Sequence, residues 1–389
     1  MSAESRSDAV RRRSLFAILA ACVAYGIGMG LTLPLLSLVL ERMGVSGTMN
    51  GLNLATAGLA ALIVTPFVPR WIAKLGTAPF LSLCLIVTAV SLVALYLMPY
   101  LWLWFPMRFV MSSALNGLFV TAEFWINRIA DENNRGRYIA LYSICLMGGF
   151  GTGPLILQII GTEGIAPFLA GGAMLLFALL PVLAVRHDAP SIEEGDHGSI
   201  FSVLRIAPAV FGAAAVFGAI DAGMNALLPV YAVRMGYPEA HAALIVTAFA
   251  VGSILFQYPI GWLIDHMDRQ RLLILCTLSG VIGSALTPFA IASPPLFYLL
   301  LLLWGGVILG IYSVALTLLG ERFQGPSLAT ANAAYVMAYC LGLLVGPAME
   351  GAGLQLWDPH GLVLVLGAIC AAYLIFLLRR RTCSQDRAG

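Results

Sequence analysis

The stretch "GWLIDHMDRQR", residues 261–271, closes a long apolar run with a burst of charge: Asp265, His266, Asp268, Arg269 and Arg271. Residues 69–79, "PRWIAKLGTAP", have a similar outline with most of the charge missing; Arg70, Lys74 and Gly76 remain. The two stretches begin 192 positions apart, and the same offset separates "RMG" at 42–44 from "RMG" at 234–236. At an offset of 193, Gly117 pairs with Gly310, Tyr142 with Tyr335, Gly149 with Gly342, and Gly153-Pro154 with Gly346-Pro347. Several ordered matches that drift by a single residue point to an internal duplication.

Composition says what was duplicated. The chain has 389 residues, of which 60% are apolar and 10% charged, with a mean hydropathy of +0.92. A soluble domain is about 25% charged, so this chain cannot present an ordinary wetted surface. About 20 apolar residues span a bilayer as a helix. Cutting at charged or Gly/Pro-rich breaks gives twelve spans, near 15–40, 51–69, 78–98, 106–127, 138–160, 165–185, 208–233, 241–262, 272–292, 296–319, 328–350 and 359–378. The first follows Arg11–Arg13 but stays apolar as far as Leu40, too long for the apolar core of a signal peptide, and is read as a retained helix. The expected fold is an all-α membrane protein of twelve transmembrane helices in two parallel six-helix repeats. Residues 1–185 form the first bundle, 186–207 a polar cytoplasmic linker ("RHDAPSIEEGDHGS" opens it), and 208–389 the second bundle with a short cytoplasmic tail.

Arg and Lys set the orientation. With the N-terminus inside, 18 of the 21 basic residues fall on the inner side, leaving Arg42, Arg108 and Arg234 as outliers. The sequence therefore predicts a multi-pass protein of the cell (inner) membrane with both termini in the cytoplasm.

Two six-helix halves, termini on one side and a polar central loop resemble the major facilitator superfamily over nearly the whole chain. Gly261, Asp265, Arg269 and Arg271 match its Gly-x-x-x-Asp and basic-residue signature, which lies after the second helix of a half. In the first half Pro69 replaces that glycine and Ala73 the aspartate, whereas most family members keep the first copy in better order. Arg108, Glu123 and Asn134-Arg135-Gly136-Arg137 resemble the YcaD-like branch, whose substrates are poorly known. Gly149-x-x-x-Gly153-Pro154, repeated as Gly342-x-x-x-Gly346-Pro347, is similar to the fifth-helix signature of proton-driven drug antiporters. The Gly-Gly that usually follows is replaced by Leu155-Ile156-Leu157-Gln158. The resemblance implies alternating access with these glycines and prolines as hinges. The 261–271 cluster reads either as solvated loop charges that follow the positive-inside rule or as a cytoplasmic latch built from Gly261, Asp265, Arg269, Arg271 and Arg322 with Arg135 and Arg137, in which Asp265 pairs with Arg269 or Arg322.

The residues carry a physical reading beside the resemblance. Small residues every fourth position let membrane helices approach closely, either for static packing or for a moving interface. A charge at the bilayer centre costs at least ~2.5–3.5 kcal/mol, so acids inside spans are informative. Asp221, in "FGAIDAGMNALLP", stands one turn before Asn225; it is either a proton- or cation-binding group or a buried hydrogen-bonder. Glu123 follows Arg108 by 15 residues, about 22 Å along the helix at ~1.5 Å per residue. It reads equally as a proton site or as a gate partner of nearby arginines. Arg108 stands where related antiporters carry a coupling arginine, yet it is near enough to the outer interface to snorkel. Tyr25, Asn116, Tyr142, Gln257, Tyr312, Asn332 and Tyr335 complete the set of polar residues expected to line a substrate cavity.

Other chemistry lacks support. Five histidines show no metal-ligand spacing, and seven scattered cysteines include no C-x-x-C pair. "AYGIGMG" lies within a membrane helix with no preceding strand, which excludes a nucleotide-binding loop. No cofactor, metal, catalytic group or nucleic-acid partner is expected. The sequence predicts a monomeric, non-enzymatic secondary transporter whose partners are the bilayer, a small neutral or amphipathic solute, and protons, working as an exporter. An uptake symporter or uniporter, and from another class a membrane receptor or intramembrane enzyme, remain the alternatives.

Overall fold

A computed structural model describes residues 3–98, 100–129, 135–186, 206–323 and 326–385. All regular structure among them is helical. The first half comprises α1 (Ala3–Arg42), α2 (Gly47–Val64), a 3-10 turn (Thr65–Phe67), α3 (Val68–Leu75), α4 (Thr77–Leu97), α5 (Leu101–Ile129), α6 (Arg135–Ile160) and α7 (Ala166–Ala184). The second comprises α8 (Pro208–Arg234), α9 (Glu239–His266), α10 (Arg269–Ala290), α11 (Pro294–Arg322), α12 (Pro326–Leu356) and α13 (Gly361–Gln385). Eleven stretches are long and apolar enough to cross a membrane; the apolar part of α6, Ile144–Ile160, is shorter. Most of the linker lies outside the described residues, as do the side chains of Arg135 and Arg137.

Local chemistry explains where helices begin and end. Pro208, Pro294 and Pro326 open α8, α11 and α12, where a missing N–H has no helical partner to lose. The repeated "RMG" is a repeated helix stop. Gly44 and Gly236 adopt φ of 72° and 93°, the left-handed conformation a glycine takes without steric strain. Beyond them Val45 N donates to Leu40 O and Tyr237 N donates to Ala232 O, each at 3.0 Å, so both halves end their first helix with the same six-to-one closure.

The charged stretches end differently. In the second half α9 runs unbroken to His266, and Asp268 caps α10 by accepting from Arg271 N at 2.8 Å. In the first half the path breaks into the short α3, and Gly76 with φ 87° precedes α4.

The chain packs as two compact units. One contains residues 1–39 and 59–195, the other 40–58 and 196–389. In the first unit α4 packs on α5 and α7, and α1 on α6. In the second, α8 packs on α12, α9 on α11, and α10 on α11 and α13. Packing thus cuts the chain at a different place from the sequence repeat, because the corner between α1 and α2 is bound into the second unit. There Arg234 donates through Nε and Nη2 to both Glu41 oxygens (2.7 and 2.9 Å) and through Nη1 to Asp358 (2.7 Å). Arg42 pairs with Glu239 at 3.4 Å, and Gly47 and Gly51 press against the backbone of Gly351 and Pro347.

Candidate functional site

The second unit builds a polar centre on three helices. Phe217, Asp221 and Asn225 are spaced four residues apart and so share one face of α8; Tyr335 and Tyr339 do the same on α12, and Tyr312 lies on α11. The Tyr339 hydroxyl donates to Asp221 Oδ2 at 2.8 Å, and Asn225 Nδ2 donates to Oδ1 at 2.9 Å. Asn225 Nδ2 also donates to the Asp221 carbonyl at 2.7 Å. Rings wall this centre: Phe217 meets Tyr312 at 5.4 Å and Tyr339 at 6.1 Å, and Tyr312 meets Tyr335 at 5.1 Å. Tyr335, 1% exposed, donates its hydroxyl to the Tyr312 carbonyl at 2.8 Å. Asp221 keeps partial exposure, while Asn225 Oδ1 is buried with no hydrogen-bond partner. The centre therefore offers a carboxylate held by neutral donors and an adjacent vacant acceptor inside aromatic walls. Such a site can take a proton, or a cargo bearing a hydrogen-bond donor and an apolar body.

The first unit repeats the walls, with Met29 where the second has Asp221. Tyr25 and Phe119 meet at 5.3 Å. Tyr142 is buried with an unpartnered hydroxyl, and Asn116 Nδ2 donates to Thr65 Oγ1 at 3.0 Å. Glu123 is exposed, one turn beyond Phe119 on α5. Arg108 is 2% exposed, and its Nε has no hydrogen-bond partner. This corrects the snorkelling alternative, because the guanidinium lies inside the unit rather than reaching a wetted interface. Gln257 and Asn332 are exposed.

The hinge glycines sit where two backbones touch. Gly149 lies against Val23 and Ile27, Gly153 against Gly30 and Leu31, Gly342 against Ala215 and Ala219, and Gly346 against Ala219. Pro154 and Pro347 lie within α6 and α12.

The latch pairing needs correction. Arg269 pairs with Glu321 at the end of α11, and its Nε donates to the Ile264 carbonyl at 3.3 Å. Arg322 donates to the Ile206 carbonyl at 3.4 Å. Asp265 is exposed and, among the described residues, pairs with neither arginine. The reason is geometric: Asp265 belongs to the last turn of α9, whereas Arg269 opens α10 beside the acidic end of α11. Gly261 has open space at its Cα, and Arg271 is exposed.

Sequence reasoning missed Tyr339, Phe217 and Glu350, and it missed the pairing of Glu41 with Arg234. One signal was present. All three basic residues that broke the orientation pattern, Arg42, Arg108 and Arg234, are paired or buried.

A duplicated all-helical membrane fold with polar groups gathered inside each unit defines a membrane transporter. The profile of the Major Facilitator Superfamily matches residues 17–244 and 238–387, and the chain belongs to that superfamily. The chain is 27% identical to the uncharacterized MFS-type transporter YfkF of Bacillus subtilis over 349 residues, 87% of this chain and 88% of the relative. It is also 27% identical to the uncharacterized MFS-type transporter YcaD of Escherichia coli over 329 residues, 83% and 84% of the two chains. In fold it is similar to a mutant of the nucleoside transporter NupG, with a TM-score of 0.83 at 13% identity over 94% of this chain and 99% of that one. A bacterial homolog of the human lysosomal transporter Spinster gives a TM-score of 0.72 at 14% identity, covering 95% of each chain.

Proposed function

We propose that this chain is a proton-coupled exporter that carries a small neutral or amphipathic solute across the cell (inner) membrane by alternating access. It works as a monomer with both termini in the cytoplasm, and bundles 1–185 and 208–389, joined by 186–207, are the moving parts. The observation that carries the reading is Asp221, whose hydrogen-bond partners Tyr339 and Asn225 are both neutral. A carboxylate within a membrane span is costly unless protonated, paired or wetted. With no fixed cation bonded to it, a proton and a donor-bearing cargo compete for the same oxygens. Each then weakens the other's binding by the same factor, which is the linkage antiport requires. The aromatic walls suit an apolar cargo body, and the scarcity of fixed charge disfavours a highly charged cargo.

Inside-out vesicles carrying a proton gradient and a pH-sensitive dye test this without a labelled cargo. Adding neutral amphipathic compounds one at a time should discharge the gradient for a subset of them. Asp221→Asn, which keeps shape and removes titration, should abolish that discharge while compound binding persists. Discharge that is unchanged in the variant would move coupling away from Asp221. Binding with no flux of proton or compound would favour a receptor.

A further inference from the structure

α8 and α12 meet along two stripes of residues spaced by four. On α8 the stripe is Ala215, Ala219, Gly223; on α12 it is Gly342, Gly346, Glu350. The first members of each stripe bring the backbones together, and the last pair breaks the pattern. The Glu350 carboxyl group lies directly on the bare Cα of Gly223, where any Cβ would overlap its oxygens. Glu350 is 0% exposed, and neither of its oxygens has a hydrogen-bond partner.

Among the described residues no counter-charge is bonded to it. The thiol of Cys370 on α13 lies within electrostatic range of it. From α8 the facing residue is glycine, and Arg234, near the end of that helix, donates to the Leu354 carbonyl at 3.4 Å, one turn beyond Glu350. Residues 47–58 of α2, which adjoin α12 at Pro347 and Gly351, contain no titratable side chain. Burying an unpaired charge costs far more than burying a neutral acid, so the closed seam accommodates the protonated form.

We propose that Glu350 is a proton-binding site of this chain. α12 carries it as a neutral acid in the packed α8–α12 seam, which lies within one bundle, and the proton passes to water when local opening of that seam wets the carboxyl. Gly223 is the positioning residue that makes room for it. Use of this proton in coupling rests on the transport reading; the existence of the site does not.

Infrared difference spectroscopy of the full chain in lipid nanodiscs reads the site without any cargo. At neutral pH the wild type should show a protonated carboxyl band that Glu350→Gln removes and Asp221→Asn leaves in place. An identical band in Glu350→Gln overturns the proposal. A chain that moves no solute yet loses the band on that substitution overturns the transport reading alone. A second measurement holds even if the glutamine variant folds poorly. Gly223→Ala should lower the melting temperature, and most of that loss should vanish when the same change is made in a Glu350→Ala background. An equal loss in both backgrounds shows that the carboxyl does not occupy the glycine's space, and the proposal fails.

Discussion

The seam between α1 and α6 in the first unit and the seam between α8 and α12 in the second descend from one duplicated interface, and they differ at one end. Gly26 and Gly218 touch the carbonyls of Leu146 and Tyr339, and Gly149 and Gly342 touch equivalent turns of α1 and α8. At the far end the second seam has Gly223 and Glu350, whereas the positions 192 and 193 residues earlier hold Leu31 and Leu157, both 0% exposed. Close backbone approach was kept in both copies because it is a steric demand: nothing larger than glycine fits where a carbonyl lies against the Cα. Charge was not kept. Asp221, Asn225 and Tyr339 stand opposite Met29, Leu33 and Leu146, and in the reverse sense Arg108 and Glu123 stand opposite Leu301 and Leu316. Each half supplies its own ionisable groups to a common scaffold.

Substitutions at the shared glycines should have the largest effect. Gly149→Leu and Gly342→Leu each drive a side chain into a facing backbone, and neither variant should give a monodisperse peak on size exclusion in detergent. A single survivor would mean that the seams are not equivalent. Next comes the divergent end. Leu157→Glu places an acid where the first seam has Leu31 rather than glycine, and should cost at least ~2.5–3.5 kcal/mol in thermal unfolding. Adding Leu31→Gly should recover part of the loss. Full stability of the single variant would break the comparison.

Smaller effects sharpen it. Tyr339→Phe removes one of the two hydrogen bonds to the Asp221 side chain and should cost about 1–3 kcal/mol in thermal unfolding. Asp268→Ala deletes the α10 cap and should cost about 1 kcal/mol, an effect with no counterpart in the first half, where Gly76 fills the equivalent role. Asp265→Asn should change stability by less than about 0.5 kcal/mol, since the side chain is exposed; a larger loss in calorimetry would mean that Asp265 does bond across the latch.

Much of this was legible in the chain. Apolar runs long enough to cross a bilayer, cut by polar breaks, gave the helices. The offsets of 192 and 193 gave the duplication, and a lone acid in an apolar run flagged Asp221. Glu350 escaped because hydropathy placed the end of its span at residue 350, among small and polar residues, whereas α12 continues to Leu356. Tyr339 escaped because one tyrosine in an apolar helix looks like another until its hydroxyl has a partner.

Near neighbours along the chain set the runs that must leave water and the small residues at four-residue spacing, both read from the sequence. They also set the helix stops at Gly44 and Gly236 and the Asp268 cap, which became visible with the structure. These follow from backbone stereochemistry and transfer of apolar surface, both of which act within a few residues of the chain. Which side chains face one another emerges only when the helices pack: Asp221 with Tyr339 across 118 positions, Arg234 with Glu41 across 193, and Glu350 with Gly223. A bilayer supplies no hydrophobic force to choose among apolar faces, so helix pairing in it is settled by close packing and by polar partners. Those are properties of two helices together, and neither helix carries them alone.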